Sequence, residues 1–134
     1  MDYLGRHFLA EFYKCSFETL NDKNKIADIM TRAVEISNAT IIKPFFHKFS
    51  PQGVSGIIVI AESHLAIHTW PEFSFASIDL FSCGDFDFTE ALIFIRDKLG
   101  SEKYSIISIK RGVGVNSAPG DDPINYFESQ EVLL

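Results

Sequence analysis

Apolar and polar positions change period several times along the chain, and each change marks an element. Residues 5–15 alternate loosely and are rich in aromatics, which predicts a strand. From Lys23 to Ser37 the apolar residues Ile26, Ile29, Met30, Ala33 and Val34 recur at helical spacing and form one stripe. Asn21-Asp22 supplies a cap for this helix and Asn38 a stop. Thr40 to Phe49 reads as a second strand, bent or at an edge because of Pro44. Ser50-Pro51-Gln52-Gly53 is a turn, and Val54 to Glu62 is a strongly β-branched third strand. Leu65 to Trp70 reads as an extended continuation of that strand, ended by Pro71. In the next strand, Phe75 to Cys83, Ala76, Ile78 and Leu80 are apolar while Ser77, Asp79 and Cys83 alternate with them. Phe88, Ala91, Leu92, Ile95 and Leu99 mark a second amphipathic helix stopped by Gly100, and Tyr104 to Lys110 is a last strand.

The order β-α-β-β-β-α-β predicts an α+β fold: a two-layer sandwich with an antiparallel sheet and two helices on one face. The other sheet face then wants a partner, so a dimer through the sheet is expected. Residues 1–111 read as one domain. Residues 112–134 have loop composition and form a C-terminal loop or tail, mobile or docked.

Composition narrows the classes. In 134 residues the formal net charge is −6, which disfavours nucleic-acid binding. No apolar stretch approaches the length needed to span a bilayer, and the first residues lack the apolar core of a signal peptide. Two cysteines do not make a disulfide framework. The expectation is a cytoplasmic protein with free thiols and no membrane association.

The residues able to carry chemistry lie between 49 and 83. Ser63 follows Glu62 at the end of an apolar run. A serine hydroxyl lies near the carbonyl carbon of the preceding residue, and attack there turns the peptide into an ester. That step needs a strained peptide and a stabilised oxyanion. Removal of the serine α-proton then splits the chain and leaves a pyruvoyl group. His68 is the candidate base, since neutral imidazole suits proton abstraction near pH 7. It shares a face with Trp70 and Glu72 if this stretch is extended. Cys83 is the candidate acid, its neutral thiol able to protonate a carbanion. Ser55 can bond a carbonyl during the acyl shift, and Phe49 and Trp70 can sandwich a flat heterocycle or face a cation.

Each residue also has a plainer role. Ser63 can be a strand-end serine, His68 a core histidine, Cys83 a small buried hydrophobe, Ser55 a turn serine and Phe49 a core aromatic. Metal binding competes for His47, His64, His68 and Cys83. On a strand, however, four residues span about 13 Å, so His64 and His68 do not converge and no metal is expected.

These residues stand in a pattern that resembles the short prokaryotic S-adenosylmethionine decarboxylases. The matching text is Leu4-Gly5-Arg6-His7, Glu11-Phe12-Tyr13-Lys14-Cys15, Phe46-His47-Lys48-Phe49, Gly53-Val54-Ser55-Gly56, Glu62-Ser63-His64, Ile67-His68-Thr69-Trp70-Pro71-Glu72 and Ile78-Asp79-Leu80-Phe81 with Cys83-Gly84. The likeness runs from about residue 3 to residue 111. Phe73-Ser74-Phe75 departs from it, where relatives often carry tyrosine and glycine.

The resemblance implies self-cleavage between Glu62 and Ser63, with Ser63 becoming a pyruvoyl cofactor. His68 would be the processing base, assisted by Ser55, and Cys83 the proton donor in turnover. Glu72 would hold the ribose hydroxyls and Phe49 would stack on adenine. It also implies a homodimer with sites at the interface. The product would be decarboxylated S-adenosylmethionine, the aminopropyl donor for spermidine. Two other functions fit the same residues: a pyruvoyl-dependent decarboxylase of another amino acid such as arginine, or an uncleaved, non-catalytic dimer binding an adenosyl ligand.

Overall fold

The computed structural model describes residues 2–84, 86–115 and 127–134. Seven strands form one antiparallel sheet: β1 (Gly5–Tyr13), β2 (Ile41–Lys48), β3 (Val54–Ile60), β4 (Ser63–Trp70), β5 (Phe75–Cys83), β6 (Lys103–Arg111) and β7 (Ser129–Glu131). Their order across the sheet is β2-β3-β4-β5-β1-β6-β7. The short α1 (Phe17–Leu20) leads into α2 (Lys23–Ile36), and α3 (Thr89–Leu99) connects β5 to β6. The expected α+β two-layer sandwich is the fold observed.

Period-two alternation decides which face each side chain takes. Phe8, Ala10 and Phe12 of β1, Leu65 and Ile67 of β4, and Ala76, Ile78 and Leu80 of β5 are all buried. They meet the stripe Ile26, Ile29, Met30, Ala33 and Val34 of α2 and Ala91, Leu92, Ile95 and Leu99 of α3. Each such Leu, Ile or Phe contributes about 1.5–3 kcal/mol by leaving water. Thr69, a buried polar residue, is satisfied. Its hydroxyl donates to the Leu20 carbonyl at 2.8 Å and accepts from the Val54 N–H at 2.9 Å.

Asp22 caps α2, its carboxylate accepting from the Asn24 and Lys25 N–H groups. Asn21 instead accepts from the Gly53 N–H through its side chain. At the other end of α2, Asn38 takes a left-handed φ of 59°. The Ala39 N–H reaches the Val34 carbonyl and the Asn38 N–H the Glu35 carbonyl, a Schellman closure. Gly100, at φ 67°, ends α3 as expected. β2 is an edge strand with a register shift between Ile41 and Lys43, in keeping with Pro44.

The sequence expectation fails in one important place. Leu65 to Trp70 does not continue the third strand. The chain reverses at Ala61-Glu62, and Ser63–Trp70 returns antiparallel to β3 with Ile60 opposite Ser63. This turn carries no Gly, Pro or Asn, so composition could not signal it. Pro71–Phe73 form a 3₁₀ turn, which takes Glu72 out of the alternation of His68 and Trp70. Of the segment read as tail, residues 112–115 and 127–134 are described. β7 pairs with β6, and the Leu134 N–H donates to the Tyr104 hydroxyl at 2.8 Å. The Gly112-to-Pro123 loop reading falls partly on residues 116–126, which lie outside the described residues.

Candidate active site

The candidate residues form two groups, one at the β3–β4 turn at the end of the sheet and one on its helix-free face. The first surrounds the β3–β4 turn. Ser63 opens β4 with φ 156°. The other positive-φ non-glycine residues, Lys14, Asn38 and Ser74, sit near 55° in the ordinary left-handed region. Ser63 lies instead at a positive φ that residues with a side chain rarely adopt, at a cost of about 1–3 kcal/mol. The unfavourable rotation is at the bond adjoining the Glu62-Ser63 peptide. The carbonyl oxygen of that peptide accepts from the Cys83 N–H at 2.9 Å. The Ser63 hydroxyl lies 3.6 Å from the Cys83 sulfur. β1 approaches Cys83 through Gly5, its cross-strand partner. A Cβ at Gly5 would meet the Ser82 carbonyl oxygen at 2.5 Å.

The second group lies toward the other end of β4. The Ser55 hydroxyl and His68 Nδ1 share a hydrogen bond of 2.8 Å. Cross-strand register sets His47 opposite Ser55, Ser55 opposite His68, His68 opposite Ser77 and Ser77 opposite Glu11. A polar row therefore crosses five strands on one face. Beside it Phe45, His47, Phe49, Ser55, Gly56, Ile57, Ala66 and His68 line a depression of about 390 Å³. Phe49 stands edge-on to His47 at 4.6 Å between ring centroids, and Trp70 lies 6.4 Å from the His68 ring. Glu72 is exposed in the 3₁₀ turn that follows Trp70.

The two groups are far apart within one protomer. Ser63 and His68 are five residues apart on an extended strand, roughly 16 Å at the usual rise. The fold brings Ser63 to Cys83 and Ser55 to His68, and it keeps the two pairs apart along β4. Among the described residues, no three His, Cys, Asp or Glu side chains are grouped closely enough to hold a metal ion.

A third cluster, not singled out from the sequence, lies between them. Arg111 donates through Nη1 to His7 Nδ1 at 2.9 Å, so His7 carries its proton on Nε2 and donates to Asp79 Oδ1 at 3.0 Å. Phe81 stacks on His7, and the Arg111 guanidinium lies over the Phe81 ring. Burial holds His64 below the ordinary imidazole range, and the charge of Arg111 pushes the same way. Burial raises the Glu11 carboxyl, Asp79 adds to the shift, and a hydrogen bond from Ser77 opposes it. Strand parity places Asp79 on this face. Its partners come from strands remote in sequence, so no local signal could find them.

A family model described as S-adenosylmethionine decarboxylase matches residues 6–112. An S-adenosylmethionine decarboxylase proenzyme from Carboxydothermus hydrogenoformans is 45% identical over 135 residues, covering 100% of both chains. One from Moorella thermoacetica is 50% identical over 111 residues, covering 82% of this chain and 89% of that one. Among solved structures, the adenosylmethionine decarboxylase of Aquifex aeolicus superposes with a TM-score of 0.79 at 28% identity, over 91% of this chain and 99% of that one. The chain belongs to the S-adenosylmethionine decarboxylase family.

Proposed function

We propose that this chain is a proenzyme that cuts itself between Glu62 and Ser63, turns Ser63 into a pyruvoyl group and then decarboxylates S-adenosylmethionine. The observation that carries this reading is the Glu62-Ser63 peptide. Its serine has a strained φ, and its carbonyl oxygen is already held by a backbone N–H donor.

The steps balance as follows. The Ser63 hydroxyl attacks the Glu62 carbonyl carbon, and the Cys83 N–H stabilises the developing oxyanion. The C–N bond breaks, the amine takes a proton, and an ester forms. A base removes the Ser63 α-proton, and the Glu62 carboxylate leaves in a β-elimination. The resulting dehydroalanine takes up water and releases ammonia. The pyruvoyl carbonyl supplies the electron sink for loss of the substrate carboxylate. Cys83, adjoining Ser63, is positioned to hold the proton that the product carbon receives.

His68 is the base in this reading, oriented by Ser55, and it must come from a second copy because its own Ser63 is too distant. A two-fold dimer through the open face sets each Ser63–Cys83 pair against the partner subunit's Ser55–His68 pair. That face exposes the apolar side chains a dimer would cover: Phe45, Ile57, Val59 and Trp70. The depression beside His68 supplies Phe49 for an adenine ring, and Glu72 is available for ribose hydroxyls.

Intact mass under denaturing conditions tests the reading. Two species are expected, residues 1–62 and 63–134, and a lone full-length species after long incubation overturns it. Cys83→Ala keeps the backbone donor on the Glu62 carbonyl, so it should still be cut while losing most carbon dioxide release. Release from S-adenosylmethionine but not from arginine separates this substrate from the other pyruvoyl chemistry.

A further inference from the structure

The carboxylate of Glu62 and the main chain of Thr40 hold each other across the cleavage turn. The Thr40 N–H donates to Glu62 Oε1 at 3.0 Å, and the Ala61 N–H donates to the Thr40 carbonyl at 2.8 Å. Thr40 is the second residue past Asn38, whose left-handed turn ends α2 and swings the chain to the β3–β4 turn. The Glu62 carbonyl is fixed independently by the Cys83 N–H. On the other side, Ser63 is fixed by pairing with both Ile60 and Ser82. The scissile peptide is therefore held from both ends, and Ser63 φ is the rotation left to absorb the mismatch.

We infer that Glu62 is a positioning residue for self-cleavage. Its carboxylate, docked on the Thr40 N–H, keeps the scissile carbonyl in line for the Ser63 hydroxyl. This role rests on the self-cleavage reading and deepens it. It assigns a task to a segment, the α2–β2 junction, that no chemistry-bearing side chain marks. It predicts a preference for glutamate. Aspartate is one methylene shorter and would not reach Thr40, whereas glutamine keeps an acceptor oxygen at the same distance.

The test follows ester formation, the step the clamp serves. Hydroxylamine cleaves an ester but leaves an amide, so in its presence the cutting rate reports the acyl shift. In the full chain, Glu62→Ala and Glu62→Asp are expected to slow this rate roughly tenfold, the worth of one aligned charge-assisted hydrogen bond. Glu62→Gln should stay within about threefold of wild type, since only the charge is lost. Thr40→Pro removes the donor and should match Glu62→Ala, and the double variant should be no slower than Thr40→Pro alone. In the uncleavable Ser63→Ala chain, hydrogen exchange at the Thr40 amide should speed up with Glu62→Ala and not with Glu62→Gln. A wild-type rate in Glu62→Ala overturns the clamp alone. Equal slowing in Glu62→Gln and Glu62→Ala overturns it in favour of a role for the charge. If the unmodified chain forms no ester and is not cut, the self-cleavage reading falls and takes the clamp's role with it.

Discussion

The two faces of the sheet are built from the same strands, yet they obey different rules. On the helix side nearly every position is aliphatic or aromatic and fully buried, with Thr69 and Ser82 as the buried polar residues. On the open side the same strands present His7, Glu11, Ser55, His64, His68, Ser77, Asp79 and Cys83, interleaved with exposed Ile57, Val59 and Trp70. A one-residue shift of register would exchange the two sets, so the demand for a dry core also fixes which groups face outward. The helix face stabilises the fold. In the proposed function the open face carries the chemistry and is completed by a second copy.

The largest expected effect separates the two ends of that open face. Ser63→Ala and His68→Ala should each remain uncut alone. Co-expressed, the Ser63→Ala chain can lend its intact His68 to the Ser63 of the other, so the His68→Ala chain should become cut. Mass spectrometry of the mixture reads this directly. Cutting of His68→Ala on its own, together with an uncut His64→Gln, would move the base to His64 in the same protomer and break the shared-site reading.

A smaller effect compares one residue type on the two faces. Ile67 is 0% exposed on the helix side and Ile57 is 38% exposed on the open side. Ile67→Ala should cost about 2–5 kcal/mol in denaturant unfolding. Ile57→Ala should cost under about 1 kcal/mol per protomer. Its main effect should be on sedimentation, as a weaker dimer. Equal unfolding costs in a chain that sediments as a monomer would erase the distinction between the faces.

The smallest effect is electrostatic. His64 titrates below its ordinary value in the folded chain. The unfolded chain therefore binds more protons as pH falls through the imidazole range near 6.5, and stability is lost on acidification. His64→Gln should flatten the acid side of the stability profile. An unchanged slope would mean that His64 is not the group responsible.

Much of this was legible along the chain. The stripe Ile26, Ile29, Met30, Ala33 and Val34 predicts α2 and its buried face, and the alternation of residues 75–83 predicts which side of β5 is dry. Asp22 and Asn38 mark the ends of α2 through their own hydrogen bonding and backbone preference. The turn at Ala61-Glu62 was not legible. Its residues have no turn preference, and its geometry is imposed by strand pairing and by Thr40, 22 residues away from Glu62. The hairpin and the pairing of β4 with β5 bring Cys83 to Ser63, while His68 stays five residues along β4 from Ser63.

By itself the sequence determined the two long helices, most of the strands and their dry faces, and the identity of the reactive groups, because periodicity, caps and side-chain chemistry are local. The tertiary structure decided which of those groups meet. The Cys83 N–H on the Glu62 carbonyl, the Thr40 N–H on the Glu62 carboxylate and the meeting of Ser55 with His68 all depend on how strands pair. Register is set by the packing of the whole sheet against its helices, and no short stretch of chain encodes it.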